Sequence, residues 1–489
     1  MGASSRGVLR GAVTLTLVAL LLGGCAEAGP EGAVTTASLD FGTLRRYDPA
    51  PSVLVTVWNF GPLPLEVHGI DLPEGVSASD SSFTVDPEPG SFTLTLTLHT
   101  ERARVVDEAV VLHTNDPVTP DHSGVLRGEV TPYIRTVLEE HPELDTYLDE
   151  MMASEELVGL GVAVVRGQDI VYLRGLGHED REANREVDPA ATLFRWASVA
   201  KGVTALASMI AVDAGDLDLD EDVTAYFPEY RVPAQYLDGC EDETCVTALD
   251  AADRRVSMRQ LLSHTAGMQH YTNGVADPVP DSSVTDDPAS NEGFAWALAL
   301  WTDAPLVAVP GTRYSYSTFG FNLAGVVLER AVGAPFAEYV DLHVAEVLEM
   351  DTMRPDYAWV HDRRRAVGYW RNTSGSVGRE GDNDVSWKLP AGGYISTVAD
   401  LARYCGGLMG EVVLPPALRD EMWTTQPPAG SYGLGFGVSD TRISHTGAQQ
   451  KTRTAIRVRH DESLCFVLMT NSTWADPGAI TRGMDDAWN

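Results

Sequence analysis

Short runs of alternating hydrophobic and polar residues dominate the first third of the chain. The alternation is clearest in residues 52–58, 91–98 and 105–113. Glycine and proline cluster between these runs, as they do in residues 87–90. Short strands with a period of two, separated by turns, are typical of antiparallel sheets that pack face to face. The pattern therefore predicts an antiparallel β-sandwich over residues 35–131.

The pattern changes to helical spacing after this region. Apolar residues recur every three or four positions across residues 132–154, which predicts a connecting helix. Residues 155–489 carry long helical patterns in the middle and apolar, strand-like runs near both ends. This order predicts an α/β domain of the α+β kind, in which helices flank a central antiparallel sheet. The chain is therefore predicted to be multidomain.

The first 24 residues have the three parts of an export signal. Two arginines precede an apolar run at 11–22, which is too short for a conventional membrane-spanning helix, and two glycines then precede Cys25. The end of this run resembles the lipobox of bacterial lipoproteins, which implies cleavage before Cys25 and lipidation of its sulfur. The alternative is a plain secretory signal with an incidental cysteine.

The lipobox resemblance predicts both the processing and the location of the protein. Residues 1–24 are expected to be a lipoprotein signal peptide, and residues 25–34 a short linker behind the lipidated Cys25. The mature chain is expected to be membrane-anchored and to face the periplasm or the cell surface. Two or more acyl chains would make such an anchor stable, whereas one would not.

Charge and cysteine placement narrow the range of partners. The chain has 70 acidic and 35 basic residues, a net charge of −35, without a basic cluster; this argues against binding nucleic acid. In an exported protein, Cys240 and Cys245 in one short acidic loop predict a disulfide, with free thiols as the alternative. No Cys or His pair stands beside them, so no metal site is predicted. Cys405 and Cys465 are interpreted as small core residues.

The strongest chemical signal is the pair Ser198 and Lys201. They stand three apart at the start of a predicted helix, so both lie on one face within hydrogen-bond reach. A serine hydroxyl needs a neighbouring base to take its proton. Lysine can be that base only if its pKa falls from about 10.4 to near neutrality, and burial and the positive helix start both lower it.

Five further segments downstream of Ser198 match landmarks of one family. They are the turn 215–222, the run 256–268, the segment 310–318 that contains Tyr316, the Ala-Gly-Gly run 391–393 and the His-Thr-Gly segment 443–448. With these motifs, residues 155–470 resemble the serine β-lactamase and penicillin-binding protein family, particularly its class C-like and esterase branch. The resemblance implies that residues 155–489 form a β-lactamase-related serine hydrolase domain.

The resemblance also implies roles for individual residues. Ser198 is the nucleophile, and Lys201 and Tyr316 share proton transfer; the resemblance leaves open which of the two is the principal base. The backbone N–H groups of Ser198 and Ala448 form the oxyanion hole. His264 is interpreted as structural, with its ring bonded to a loop backbone. No metal and no organic cofactor are expected.

Two positions depart from the family pattern and bear on the substrate. Thr318 replaces the usual asparagine, whose amide helps to hold the lysine and the substrate carbonyl. His445 replaces the lysine of strict β-lactamases, on the segment whose Thr446 and Gly447 line the substrate edge. Histidine is mostly neutral at pH 7 and attracts a substrate carboxylate less than lysine does. Three cations that follow would restore this attraction if they face the cleft: Lys451, Arg453 and Arg457.

We therefore expect a serine hydrolase that forms an acyl-enzyme. An ester or amide is the first expectation for the substrate, a D-amino-acid peptide the second and a β-lactam the third. One alternative is a catalytically inactive protein that binds cell-wall peptides or penicillin. Another gives the leading role to the sandwich as an adhesion or docking module, because residues 39–44, 59–65 and 115–117 resemble bacterial immunoglobulin-like modules. The oligomeric state is not predicted.

Overall fold

The structure is a computed structural model that describes residues 29–30, 32–34, 39–88, 90–237, 245–270, 298, 304–358 and 360–489. The chain divides into two units, Met1–Tyr133 and Ile134–Asn489. The predicted signal peptide, the lipidation site Cys25 and one partner of the predicted disulfide, Cys240, lie outside the described residues. The other partner, Cys245, is disulfide-bonded.

The first unit consists of strands only, within its described residues. They are β1 (Gly32–Val34), β2 (Leu39–Arg45), β3 (Ser52–Asn59), β4 (Leu65–Asp71), β5 (Val76–Ala78), β6 (Phe83–Val85), β7 (Gly90–Leu98), β8 (Arg104–Thr114) and β9 (Asp121–Thr131). One sheet has the order β1-β3-β7-β5, and the other has the order β2-β9-β8-β4-β6.

The two sheets of this unit contribute to one hydrophobic core, which includes Val57 and Leu96 from one sheet and Leu112 and Leu126 from the other. The predicted alternation explains this core, because every second side chain of a strand points to the same face. The predicted antiparallel pairing is wrong for one pair: β2 runs parallel to β9, with Leu39 opposite Leu126.

The second unit contains the remaining strands and all the described helices. Its strands are β10 (Arg135–Thr136), β11 (Gly159–Arg166), β12 (Asp169–Asp180), β13 (Arg185–Glu186), β14 (Phe194–Arg195), β15 (Gln235–Leu237), β16 (Val246–Ala248), β17 (Arg354–Pro355), β18 (Tyr369–Arg371), β19 (Val377–Arg379), β20 (Tyr394–Ser396), β21 (Gly437–Ser439), β22 (Arg442–Gln449), β23 (Thr452–Arg459) and β24 (Leu464–Thr470). The α-helices are α1 (Pro142–Ser154), α2 (Ala200–Ala214), α3 (Met258–Leu262), α4 (Thr318–Val332), α5 (Phe336–Val340), α6 (Leu389–Gly392), α7 (Val398–Met409), α8 (Pro416–Met422) and α9 (Pro477–Trp488).

The main sheet of the second unit has the strand order β10-β12-β11-β24-β23-β22-β21. All of these pairs are antiparallel except the edge pair β10–β12. Every residue of β24 is buried, so both faces of the sheet must be covered. Helices α1 and α9 contribute Leu148 and Ile480 to a core with Phe466 of β24, and α7 packs against β11 and β24. Helices thus flank the central sheet, as predicted.

The segment predicted as a connecting helix belongs to the second unit. Within residues 132–154 the helix begins only at Pro142, after the short edge strand β10. Leu144 and Leu148 of this helix are fully buried in the core that the main sheet supplies. The helical spacing of the sequence therefore reflects packing against a sheet.

Cys405 of α7 and Cys465 of β24 form a disulfide across a sequence separation of 60 residues. The interpretation of both as unpaired small core residues is therefore wrong, although both are fully buried as expected. The pairing depends on where α7 crosses the sheet. Neither the helical pattern around Cys405 nor the strand pattern around Cys465 shows this crossing point.

The window Ala197–Ala214, which includes α2, is the one described helical stretch long and apolar enough to cross a membrane. Most of this window is buried inside the protein. It ends at Gly215, which adopts a left-handed φ of 81° and caps the helix. We interpret α2 as a core helix, and the predicted nucleophile Ser198 lies in the turn that immediately precedes it.

Candidate active site

Ser198 lies in a sharp turn between strand β14 and helix α2. Ala197 before it has a left-handed φ of 47°, a conformation that costs a non-glycine residue roughly 1–3 kcal/mol. The neighbouring Trp196 holds this turn, since its backbone N–H donates to the carbonyl of Tyr394 at 2.9 Å and its indole N–H to Ser396 Oγ at 2.7 Å. The turn leaves Ser198 partly exposed, on the wall of a cleft.

Lys201 lies directly behind the nucleophile, as the three-residue spacing predicts. Its Nζ is 3.2 Å from Ser198 Oγ and donates to the carbonyl oxygen of Ala391 at 2.8 Å. The side chain is fully buried. This burial, and then the charge of nearby Lys388, lower the pKa of Lys201 well below its usual value. A neutral amine in this place has a lone pair for the proton of Ser198 Oγ–H.

Tyr316 completes the group that the resemblance brings together. Its ring centroid is 4.9 Å from Lys201 Nζ, and the residue lines the same cleft as Ser198. The ring of His270 lies 5.5 Å from it and the ring of His445 6.4 Å. The structure therefore brings the predicted nucleophile and the phenol together on the cleft wall, with the amine of Lys201 buried beside both.

Strand β22 forms the opposite wall of the cleft. Its burial alternates, so Thr446 and Ala448 are exposed toward the opening while His445 and Gly447 are buried. A Cβ on Gly447 would lie 2.6 Å from the carbonyl oxygen of Trp196 and 3.1 Å from the backbone nitrogen of Ser198. This close approach brings the backbone of β22 beside the N–H of Ser198, as an oxyanion hole built from Ser198 and Ala448 requires.

Replacing Gly447 with alanine is expected to lower kcat by about 10²–10³-fold, the cost of losing one oxyanion-hole donor. The new methyl group cannot fit where a real Cβ would be within 3 Å of backbone, so β22 must move away from Ser198. Initial-rate kinetics on an activated ester measure the effect. Gly381→Ala is the control, because a Cβ there meets no atom within 4 Å. Equal kcat values for both variants would contradict the assigned role of this strand.

His445 is kept neutral by burial, and its two hydrogen bonds fix which ring nitrogen carries the proton. Its Nδ1 lies 2.8 Å from the carbonyl oxygen of Thr446, which can only accept, so Nδ1 carries the proton. Its Nε2 then accepts from the hydroxyl of Tyr432 at 3.0 Å. Burial lowers the pKa of His445 to about 3. With histidine in place of lysine, position 445 of this strand therefore carries no positive charge at neutral pH.

The three cations that follow His445 do not restore this charge. Lys451 pairs with Asp382, Arg457 pairs with Asp485 at 2.9 Å, and Arg453 donates to backbone carbonyls of its own hairpin. The cleft has a volume of about 410 Å³ and is lined by Ser198, His270, Tyr316, Tyr432, Gly437, Ser444, His445, Thr446 and Ala448. Burial also lowers the pKa of His270, to about 4. None of these described lining residues is positively charged at neutral pH.

Thr318 is a predicted substrate-binding residue that does not line the described part of the cleft. It begins α4 with a side chain only 2% exposed. Its backbone N–H donates to Nδ1 of His270 at 3.3 Å. One turn later, Asn322 donates from its side-chain amide to the carbonyl oxygen of Trp387 at 3.3 Å. A direct role for Thr318 in holding the substrate stays a prediction.

Three groups at this site were not assigned from the sequence. The Ala391 carbonyl accepts from Lys201, Tyr432 fixes His445, and Lys388 acts on the pKa of Lys201. The Ala-Gly-Gly run was a visible signal for the first of these. No sequence motif contains Tyr432 or Lys388, so nothing in the sequence pointed to either residue. Groups of three or more potential metal ligands are absent from the part of the chain that the structure describes.

The second unit is similar in sequence to known proteins. A family model described as Beta-lactamase matches residues 144–485. Esterase EstB of Burkholderia gladioli is 35% identical over 209 residues, which are 42% of this chain and 49% of the esterase. The human mitochondrial serine beta-lactamase-like protein LACTB is 24% identical over 399 residues, which are 66% of this chain and 69% of LACTB. The chain thus spans about half the length of the esterase.

Solved structures match the fold of about 70% of this chain. EstCE1, a hydrolase with promiscuous acyltransferase activity, has a TM-score of 0.58 and 20% identity, over 71% of this chain and 97% of that chain. A D-stereospecific amidohydrolase from Streptomyces sp. has a TM-score of 0.54 and 22% identity, over 70% and 98%. At these identities the likeness concerns the fold alone.

Proposed function

Because the chain belongs to the β-lactamase family and is a serine hydrolase, we propose that it cleaves uncharged esters through an acyl-enzyme on Ser198. Amides rank beside esters, D-amino-acid peptides come second, and β-lactams come last. One observation carries the proposal: Ser198 lines a cleft whose described lining has no fixed charge, and the buried Lys201 Nζ, whose pKa is lowered well below its usual value, lies 3.2 Å behind Ser198 Oγ.

In the proposed reaction, Ser198 Oγ attacks the substrate carbonyl while Lys201 Nζ takes the hydroxyl proton. The oxyanion is held by the N–H groups of Ser198 and Ala448, and one such donor is worth about 3 kcal/mol. Lys201 or Tyr316 then gives a proton to the leaving alcohol or amine as its bond to carbon breaks. Water attacks the acyl-enzyme by the same route, which restores Ser198 and releases the acid.

The preference for uncharged substrates follows from the cost of burying a charge. A carboxylate that leaves water needs a cation or several donors in return. The described lining offers a neutral His445 and hydroxyl groups, which replace the lost hydration of a carboxylate poorly. The name of the esterase relative supports esters, and a D-amino acid amidase from Ochrobactrum anthropi among the fold neighbours, 19% identical, supports amides and D-amino-acid peptides as further candidates.

We also propose that the protein is an exported lipoprotein, anchored through Cys25, whose first unit is an immunoglobulin-like sandwich that serves as a spacer or docking module. The Cys405–Cys465 disulfide supports export, because such bonds persist mainly in oxidising compartments. The two sheets around a common core support the sandwich.

Two p-nitrophenyl esters test the substrate class. The butyrate is uncharged, and the hydrogen succinate carries a carboxylate on an acyl chain of the same length. We expect kcat/KM to be about tenfold or more higher for the butyrate, a difference of roughly 1.4 kcal/mol. His445→Lys should narrow this ratio, because it places a cation in the lining of the cleft. Equal or faster hydrolysis of the succinate by the native protein would contradict the charge argument.

Two covalent probes test the hydrolase itself. We expect a serine-directed fluorophosphonate to label the native protein and fluorescent penicillin to label it weakly or not at all. Stable labelling by penicillin without turnover of either ester would instead favour the inactive penicillin-binding alternative. Failure of both probes would refute the hydrolase proposal.

A further inference from the structure

We propose that His264 is a positioning residue that fixes the orientation of Tyr316 in the cleft. The proposal rests on the proposed function, since it concerns the phenol to which proton transfer is assigned there. The sequence alone predicted a structural role for His264; here it is assigned the orientation of Tyr316.

His264 contacts Tyr316 and both of its chain neighbours. The carbonyl oxygen of His264 accepts from the N–H of Ser315 at 2.7 Å, and its Nδ1 accepts from the N–H of Ser317 at 3.1 Å. Between these two bonds, the imidazole packs on the Tyr316 ring with centroids 4.3 Å apart and planes inclined by 41°. One residue therefore fixes the backbone before and after Tyr316 and also one face of its ring.

The backbone of His264 is adapted to this double contact. It has a left-handed φ of 59°, which costs roughly 1–3 kcal/mol and persists only where the surroundings impose it. The preceding helix α3 begins with a reciprocal capping box between Ser257 and Gln260, and the Gln260 carbonyl accepts from the N–H of Thr265 at 2.8 Å. The turn after α3 thus holds His264 on a rigid base.

The imidazole is neutral, and neither of its ring nitrogens forms a hydrogen bond with the phenol of Tyr316. Because Nδ1 accepts from a backbone N–H, the proton lies on Nε2, and Nε2 has no hydrogen-bond partner among the described residues. The ring is 2% exposed and packs within 4.9 Å of the Phe321 and Tyr432 rings, measured between centroids. These contacts leave His264 a role in packing and orientation, with no role in proton transfer.

The orientation of Tyr316 matters because its neighbours in the site are fixed. Lys201 Nζ lies 4.9 Å from the Tyr316 ring and is itself held by Ser198 and the Ala391 carbonyl. If the Tyr316 side chain could rotate, its hydroxyl would move away from the leaving group to which it is proposed to give a proton. A misplacement of 1 Å at a reacting group can cost about 10²-fold in rate.

The test compares His264→Ala with His264→Asn. Asparagine tolerates a left-handed φ and offers Oδ1 to the N–H of Ser317, but it lacks the stacked ring. We expect kcat for p-nitrophenyl butyrate to fall about 10²-fold in His264→Ala, with KM changed less than about threefold, and to recover at least tenfold in His264→Asn. His122→Asn is the matched control, since it replaces a buried histidine of the first unit.

A second measurement separates this proposal from the proposed function. With 3-fluorotyrosine placed at position 316, the ¹⁹F spectrum reports the order of the ring whether or not the protein hydrolyses esters. We expect one narrow resonance in the native protein and in His122→Asn, and a broadened or split resonance in His264→Ala. His264→Asn, which keeps the backbone bond, serves if His264→Ala does not fold. Unchanged spectra and unchanged kcat in a folded His264 variant would overturn the proposal.

Discussion

Replacing Ser198 with alanine is expected to abolish fluorophosphonate labelling and to lower kcat by about 10⁶-fold, the loss seen when a serine nucleophile is removed from a working catalytic group. Among the residues that the structure describes, no second hydroxyl forms a hydrogen bond with the base Lys201. Ser444 and Thr446 also line the cleft, but they lie on β22, and Lys201 Nζ reaches Ser198 Oγ alone among the described hydroxyls. Intact-mass spectrometry after labelling and initial rates on an activated ester measure the two effects.

Ser208→Ala is the matched control for this prediction. Ser208 lies on the same helix as the base, is buried, and donates its hydroxyl to the carbonyl of Thr204 at 2.7 Å, away from the cleft. Its replacement removes a serine from α2 without touching the nucleophile, so labelling should persist. If labelling survives Ser198→Ala, the nucleophile is a different residue and the proposed acyl-enzyme is wrong.

The parts of the site that could be predicted are those that depend on short sequence distances. Ser198 and Lys201 are one helical turn apart, so their contact follows from helix geometry once the helix starts at the serine. The neutral state of His445 was expected from its chemistry and is strengthened by burial, which lowers its pKa to about 3. The alternating runs of the first unit likewise encode which faces of its strands are buried.

The parts that could not be predicted depend on contacts between distant segments. The Ala391 carbonyl accepts from Lys201 across 190 positions, and the Ala-Gly-Gly run marks the segment without showing which side chain it contacts. The Cys405–Cys465 pair requires knowing where α7 crosses β24. The need for glycine at position 447 comes from the approach of β22 to the turn before Ser198, which is a property of the assembled sheet.

Replacing Lys201 with methionine is expected to lower kcat/KM by about 10³–10⁴-fold, the contribution of a well-placed general base. Methionine fills the buried space but has no lone pair of the strength needed to take the proton of Ser198. Initial rates on p-nitrophenyl butyrate measure the change, and circular dichroism verifies the fold. A loss smaller than tenfold would show that Lys201 is not the main base and would give that role to Tyr316.

The pH profile tests the same role without removing the base. Only the unprotonated Lys201 can act, so kcat/KM should rise with pH through the pKa of Lys201 and level off above it. Burial and the charge of Lys388 both hold that pKa well below its usual value. Lys388→Met removes one of these causes, so the pKa of Lys201 should rise and the acid limb should move to higher pH. If the acid limb of the kcat/KM profile does not move in Lys388→Met, the limb reports the titration of a group other than Lys201. Lys388 directly precedes α6, whose Ala391 carbonyl accepts from Lys201 Nζ. A shift of the acid limb in Lys388→Met would therefore show that the segment that holds Lys201 in place also lowers its pKa.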